Sequence, residues 1–268
     1  MSAHARILAE QRELWGTAPR DWAQLAEREN EPLFRRVMDA ASVQSGTRLL
    51  DVGCGSGLLC ELAAARGARV AGIDITPQLL AIARERVPDG DLRDGDMGAL
   101  PYPDASFDAV TGVNAFQFAP DPARAFAEAA RVLRPGGRLV AAVFAEPERN
   151  DGTVLHLAMK QLIAAVEGED DGYAPYALST SEGMRTALTG AGLTPHDEAE
   201  VPVDWRYADE QTALRSLFAS AGGARAIRAA GRDRVQAALI AAMRQFKGED
   251  GVVTMHNLFR YVVAEAPR

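Results

Sequence analysis

The chemistry-bearing residues of this chain sit at the ends of short apolar runs. Leu49-Leu50-Asp51-Val52 leads directly into Gly53-Cys54-Gly55-Ser56-Gly57, with glycine at alternate positions. An apolar run followed by such glycines reads as a buried strand and a tight strand-to-helix turn. A backbone without Cβ atoms lets a ligand lie directly against the chain. A second run, Val70-Ala71-Gly72-Ile73, ends in Asp74 about 20 residues beyond the glycines, where a carboxylate can accept two hydrogen bonds from a ribose diol. The competing role for Asp74 is a helix N-cap, but Thr76 before Pro77 is the better cap by residue type. Gly95-Asp96-Met97 adds an acceptor for an exocyclic amine beside a polarizable thioether, a pair suited to adenine. Asn114-Ala115-Phe116-Gln117 puts polar and aromatic groups just past another run, Phe107–Val110.

The elements that must hold these residues alternate. Apolar runs at Leu49–Val52, Val70–Ile73, Phe107–Val110 and Leu139–Phe144 are separated by helical patterns near Leu58–Arg66, Pro77–Arg86 and Pro122–Leu133. That alternation predicts an α/β fold: a parallel sheet with helices on both faces, binding ligands at the carboxyl ends of its strands. Pro135-Gly136-Gly137 reads as a helix-to-strand turn. Before the sheet, residues 5–42 read as helices broken near Gly16–Pro19 and at Pro32. After it come helices near Val154–Val166 and Glu182–Ala191, a strand near Ala199–Tyr207, an Ala/Arg-rich helical region over Asp209–Phe246, and a last strand Leu258–Ala264.

Leu49–Gly57, Asp74, Gly95-Asp96-Met97, Ser106-Phe107-Asp108 and Arg134-Pro135-Gly136-Gly137 stand in the order and spacing of class I S-adenosylmethionine-dependent methyltransferases. The chain resembles the small-molecule branch of that family over about residues 45–145. The resemblance implies a Rossmann-like sheet of seven strands, mostly parallel with the last antiparallel. It implies S-adenosylmethionine as cofactor. Asp51, Gly53, Cys54, Gly55 and Gly57 would hold its methionine part. Asp74 would take the ribose hydroxyls, Ile75 and Met97 would flank the adenine, Asp96 would accept from the adenine amine, and Asn114 would lie near the amino group and the transferred methyl. The implied division is an N-terminal helical cap (1–44), a cofactor core (45–145) and a remainder (146–268) that completes the sheet and carries lid helices. Asn114–Gln117 lacks the paired prolines of base-methylating enzymes.

Bulk properties narrow the partners. The 268 residues carry a formal net charge of -8, which disfavours a phosphate-neutralising surface and so nucleic acid. No apolar run approaches the ~20 residues of a membrane span, and Met1–Arg6 does not read as a signal peptide. The expectation is a cytoplasmic monomer or homodimer acting on a small molecule. Cys54 and Cys60 read as apolar thiols, and no spacing of ligands suggests a metal. General-base candidates are His4, His156, His196, His256, Glu146, Asp204, Tyr176 and Tyr207. His156 on a covering helix is the tentative catalytic choice, and Gln117 could orient an acceptor's hydroxyl or carbonyl. His256 reads as a loop residue. Trp15 and Trp22 could roof the cofactor. Phe116, Phe118, Leu157, Tyr176, Leu217, Phe218, Met243 and Phe246 suggest an apolar acceptor pocket formed by segments 1–44, 146–180 and 206–256. Two other readings share the fold class. A nicotinamide-dependent oxidoreductase would want G-x-G-x-x-G, which the alternate glycines do not supply. A protein that binds the same cofactor without transferring methyl, such as a cyclase, a decarboxylase or a regulatory partner, is left open by the lack of an obvious base.

Overall fold

A computed structural model of the chain describes residues 2–168 and 177–268. Tyr176 and most of the acidic Gly-rich run before it lie outside the described residues. Helix α1 (Ala3–Trp15) starts where Ser2 accepts from the Ala5 N–H. Pro19 opens α2 (Pro19–Asp21), which runs through a π-helical turn (Trp22–Ala26) into α3 (Glu27–Glu29) and α4 (Glu31–Ala40). The alternating region follows: β1 (Arg48–Val52), α5 (Leu58–Ala65), β2 (Arg69–Asp74), α6 (Pro77–Arg86), β3 (Asp91–Asp94), β4 (Phe107–Val113), α7 (Pro122–Val132) and β5 (Leu133–Phe144). Beyond it are α8 (Gly152–Glu167), α9 (Ser181–Gly190), β6 (Thr194–Tyr207), α10 (Glu210–Phe218), α11 (Ala221–Ala230), α12 (Arg232–Met243) and β7 (Val253–Glu265).

The strands form one seven-stranded sheet in the order β3-β2-β1-β4-β5-β7-β6. Strands β1 to β5 pair in parallel, and β7 runs antiparallel between β5 and β6. The mostly parallel Rossmann-like sheet with an antiparallel last strand is therefore present. Its strand order reverses between β1 and β4, and the crevice outside the carboxyl ends of those two strands is where such sheets bind ligands.

Successive residues of a strand face opposite sides, and the core divides accordingly. Leu50, Val52, Ile73, Val110 and Leu139 pack with Phe126 and Ala129 of α7 and Met184 and Leu188 of α9. Leu49, Ala109, Val140 and Ala142 pack on the other face with Leu33, Val37 and Met38 of α4 and Leu58 and Leu59 of α5. A third cluster joins α8 and α10–α12 to the far ends of the β6–β7 hairpin at Tyr207, Val253 and Met255. Leu14 of α1 rests on Ala221 and Ala224 of α11.

Several expectations change. Strand β3 was not legible, because Asp-Leu-Arg-Asp holds one apolar residue and sits at the sheet edge. The residues expected as a turn at Pro135-Gly136-Gly137 lie within β5, since Leu133 already pairs with Phe107 and the register shifts between Phe107 and Ala109. His256 is a strand residue of β7, opposite Asp204 of β6, not a loop residue. Thr76 makes no side-chain cap to α6; its backbone N–H is instead held by Asp74 Oδ1 at 2.8 Å. Most of the aromatic and aliphatic stripe expected at an acceptor pocket is core: Phe116 packs on Phe126, Leu217, Phe218 and Met243 fill the third cluster, and Leu157 is exposed.

Candidate functional site

The turn after β1 is shaped by what surrounds it. The Gly53 and Cys54 N–H groups both donate to the Ile73 carbonyl, folding the chain back over β2. Gly53 has φ +71°, and a Cβ there would stand 2.6 Å from the Ala115 Cβ. Gly57 has φ +82°, and its Cβ would meet the Ala83 Cβ at 2.8 Å. Both positions require glycine on conformation and on space. Gly55 between them donates its N–H to Asp74 Oδ2 at 2.9 Å. Asp74 thus bridges the glycine turn and the start of α6. Burial raises its carboxyl above the ordinary range, against the pull of the Gly55 and Thr76 N–H groups.

A cavity of about 110 Å³ opens over this turn. From the sheet side it is lined by Gly53, Gly55, Ile73, Asp74, Ile75, Gly95, Asp96, Met97, Asn114 and Ala115. Gly53, Gly55, Asp74, Ile75, Asp96, Met97 and Asn114 are thereby brought together around one cavity. Asp51, at the base of the turn, and Cys54 and Gly57, within it, are outside the lining. Asp51 is buried in β1 and accepts from Thr111 Oγ1 at 2.8 Å. Burial pushes its carboxyl up to about 7, opposed by that hydrogen bond. Cys54 and Cys60 are buried free thiols. Among the described residues no group of metal-ligating side chains is assembled.

The N-terminal segment supplies the roof. Leu8, Gln11, Trp15, Trp22, Glu27, Asn30 and Phe34 line the same cavity, with Phe118 from the segment after β4. The Trp15 ring meets Trp22 edge-on at 4.8 Å and Phe118 edge-on at 5.5 Å. His4 Nε2 lies 2.7 Å from Asp96 Oδ2, and Arg12 donates to Asp94 Oδ1 at 2.5 Å, so α1 is laid across the carboxyl ends of β2 and β3.

Glu27 and Asn30 are the site residues that sequence reasoning missed. They fall in Glu27-Arg28-Glu29-Asn30-Glu31, a charged stretch that reads as a solvated helix face. Glu27 is 4% exposed and bonds Ser56 Oγ at 2.6 Å and the Arg86 guanidinium. Burial raises its carboxyl, opposed by Arg86 and Ser56. No local signal marks them; a buried acid is visible only once α6 has delivered Arg86.

The catalytic candidates disperse. Gln117 donates to Asn114 Oδ1 at 3.4 Å, its Oε1 is buried without a partner, and it does not line the cavity. His156 stands edge-on to Phe144 at 6.0 Å, held toward the neutral form by burial, and does not line the cavity. Glu146 pairs with Arg260, Asp204 with His256, and Tyr207 with Ser216. His196 lies near Glu265.

Residues 50–141 match the family model described as a methyltransferase domain. A demethylmenaquinone methyltransferase of Thermus thermophilus is 34% identical over 176 residues, covering 60% of this chain and 80% of that protein. The enzyme of the same name from Renibacterium salmoninarum is 42% identical over 113 residues, covering 42% of this chain and 48% of its own length. The chain thus spans about half the length of several curated relatives it matches. A solved structure from Bacillus halodurans C-125 shares the fold with a TM-score of 0.59 at 19% identity, covering 88% of this chain and 99% of that one. The chain belongs to the class I S-adenosylmethionine-dependent methyltransferases. Among the described residues no helix is long and apolar enough to cross a membrane.

Proposed function

We propose that this chain transfers a methyl group from S-adenosylmethionine to a small, largely apolar acceptor with a quinone-like ring. The observation that carries the reading is the two-sided cavity: a glycine turn with Asp74 and Asp96 below, and Trp15, Trp22 and Phe118 above. The relatives named demethylmenaquinone methyltransferases support the class of acceptor.

The residues present fit the cofactor. Gly53 and Gly55 offer bare backbone, Asp74 would take the ribose hydroxyls, Asp96 would accept from the adenine amine, and Ile75 and Met97 would flank the ring. Asp51, Cys54 and Gly57 would act on the methionine part only through the shape of the turn, and Asn114, which lines the cavity, would lie near its amino group and the transferred methyl. The cofactor supplies an already activated methyl. The chain's own task is to align the acceptor with it and exclude water, and alignment alone can contribute several kcal/mol. Gln117 stands outside the lining and positions Asn114, to whose Oδ1 it donates. His156, outside the cavity lining, takes no proton from the acceptor.

At about 110 Å³ the cavity is well below the ~300 Å³ lower end for small-molecule sites. Loading therefore requires α1 to lift, exchanging the His4–Asp96 contact for the adenine amine. On this reading residues 1–44 act as the lid over a core at 45–145, with α11 backing α1 through Ala221 and Ala224. Methyl-labelled cofactor incubated with a panel of quinols and polar metabolites tests it. Label should appear in the quinols. Label only in polar acceptors would overturn the acceptor class, and acceptor turnover without label would overturn transfer itself.

A further inference from the structure

We propose that Glu27 and Asn30 form a recognition site for a cationic ammonium group, and that the group it takes is the α-ammonium of the cofactor's methionine part. The inference rests on the reading of this cavity as an S-adenosylmethionine site and adds residues from the N-terminal segment to it.

Three observations converge. Glu27 lines the cavity directly over the glycine turn, with its Oε1 3.6 Å from the point where a Cβ on Gly55 would stand. Its other oxygen is committed to Ser56 and Arg86. Oε1 has only the long 3.4 Å approach of the Leu58 N–H. Independently, Asn30 is 7% exposed, lines the same cavity, and has a buried Oδ1 with no partner. Its amide nitrogen already donates to the Ala26 carbonyl at 3.0 Å, so the orientation of the amide leaves the oxygen as the unused end. A buried acceptor left unpaired is rare and calls for a donor.

The charge of that donor follows from the neighbours. The Arg86 guanidinium is spent within the protein: it donates to Glu27, to the Ser56 carbonyl at 2.9 Å and to the Ala23 carbonyl at 3.0 Å. Glu27, Asp51 and Asp74 crowd around one turn, and burial raises the carboxyl of each. Groups in that state favour an incoming cation over a neutral donor. An ammonium carries three N–H donors and a positive charge, which matches two acceptors on one wall of the cavity. Both come from one turn of chain, α3 and the residue after it, which Arg86 clamps to the glycine turn.

Calorimetric titration with two probes tests the assignment: S-adenosylhomocysteine, and its desamino analogue S-adenosyl-4-thiobutyrate, which lacks only the ammonium. The intact protein should prefer the first by at least about tenfold, since hydrogen bonds to charged groups are the strong ones. Glu27→Gln should reduce that preference by about tenfold or more. Asn30→Ala, which leaves the Glu27–Arg86 pair in place, should reduce it about threefold. Asp74→Asn should weaken both probes equally and keep the preference. Equal weakening of both probes by Asn30→Ala would overturn the proposal and leave the two residues a purely structural role. If Glu27→Gln fails to fold, Asn30→Ala alone decides. Absence of any binding of S-adenosylhomocysteine to the intact protein would sink the cofactor reading itself, an outcome distinct from loss of the ammonium preference.

Discussion

The floor and the roof of the cavity are built on different physics. The floor hangs from β1, β2 and β4, whose Leu49, Leu50, Val52 and Val110 are fully buried. Its geometry is enforced by backbone: paired N–H donors to Ile73, Asp74 bridging Gly55 and Thr76, and close packing at Gly53 and Gly57. The roof is α1, which buries only Leu14. It is held at the edges by Arg12–Asp94 and Arg228–Glu10, whose partners are all more than a third exposed, and by the half-buried His4–Asp96 contact. Exposed pairs contribute roughly 0–1 kcal/mol each. A rigid floor and a lightly tethered roof suit a site that must open to load and close to exclude water. Glu27–Arg86 marks the boundary, since past it the N-terminal segment is fastened to the floor from inside.

The largest effect should come from that boundary. Arg86→Ala leaves Glu27 buried without its cation, and loss of one partner of a buried pair costs about 3–5 kcal/mol. Chemical denaturation should show it. A change under 1 kcal/mol would mean the boundary is not where the structure draws it. Gly53→Ala comes next: positive φ and a 2.6 Å approach to Ala115 should cost about 2–4 kcal/mol and abolish measurable donor binding.

Asp51 sharpens the comparison through pH. Its carboxyl ordinarily titrates near 3.8 and is pushed up to about 7 in the folded chain. Between those values the folded state keeps a proton that the unfolded state has released. This group's contribution therefore makes stability fall as pH rises from about 4 to about 7, with no further change above. Asp51→Asn removes the titration. The variant should gain on the parent steadily across that window, as read by denaturation midpoints at a series of pH values. A constant difference would show that Asp51 is not strained by its burial in the floor.

The smallest effect tests the roof. His4→Ala frees Asp96 and should change stability by less than about 1 kcal/mol while tightening S-adenosylhomocysteine by up to about fivefold. Weaker binding instead would mean that α1 belongs to the rigid part of the site.

Most of the floor was legible because it is local. An apolar run sets a strand by its own periodicity, the glycines after it dictate a turn no other residue could make, and an acid at the next strand's end lands within reach of that turn. Strand β3 escaped because an edge strand with one apolar residue carries almost no periodic signal. Trp15 and Trp22 could be named as roof candidates, but which aromatic residues would reach the cavity could not be read from spacing. Phe118 lines it, while Phe116, two residues earlier, packs on Phe126 in the core.

By itself, then, the sequence determined the α/β layering, the glycine turn and the acid at the end of β2, since these follow from hydrophobic period and backbone conformation within short stretches of chain. Only the tertiary structure decided that Glu27 and Asn30 face the same cavity as Asp74, that His4 occupies Asp96, and that Asp51 lies outside the lining. Those facts depend on where a distant helix packs, and on the low-polarity environment that turns an ordinary surface-type acid into a buried one.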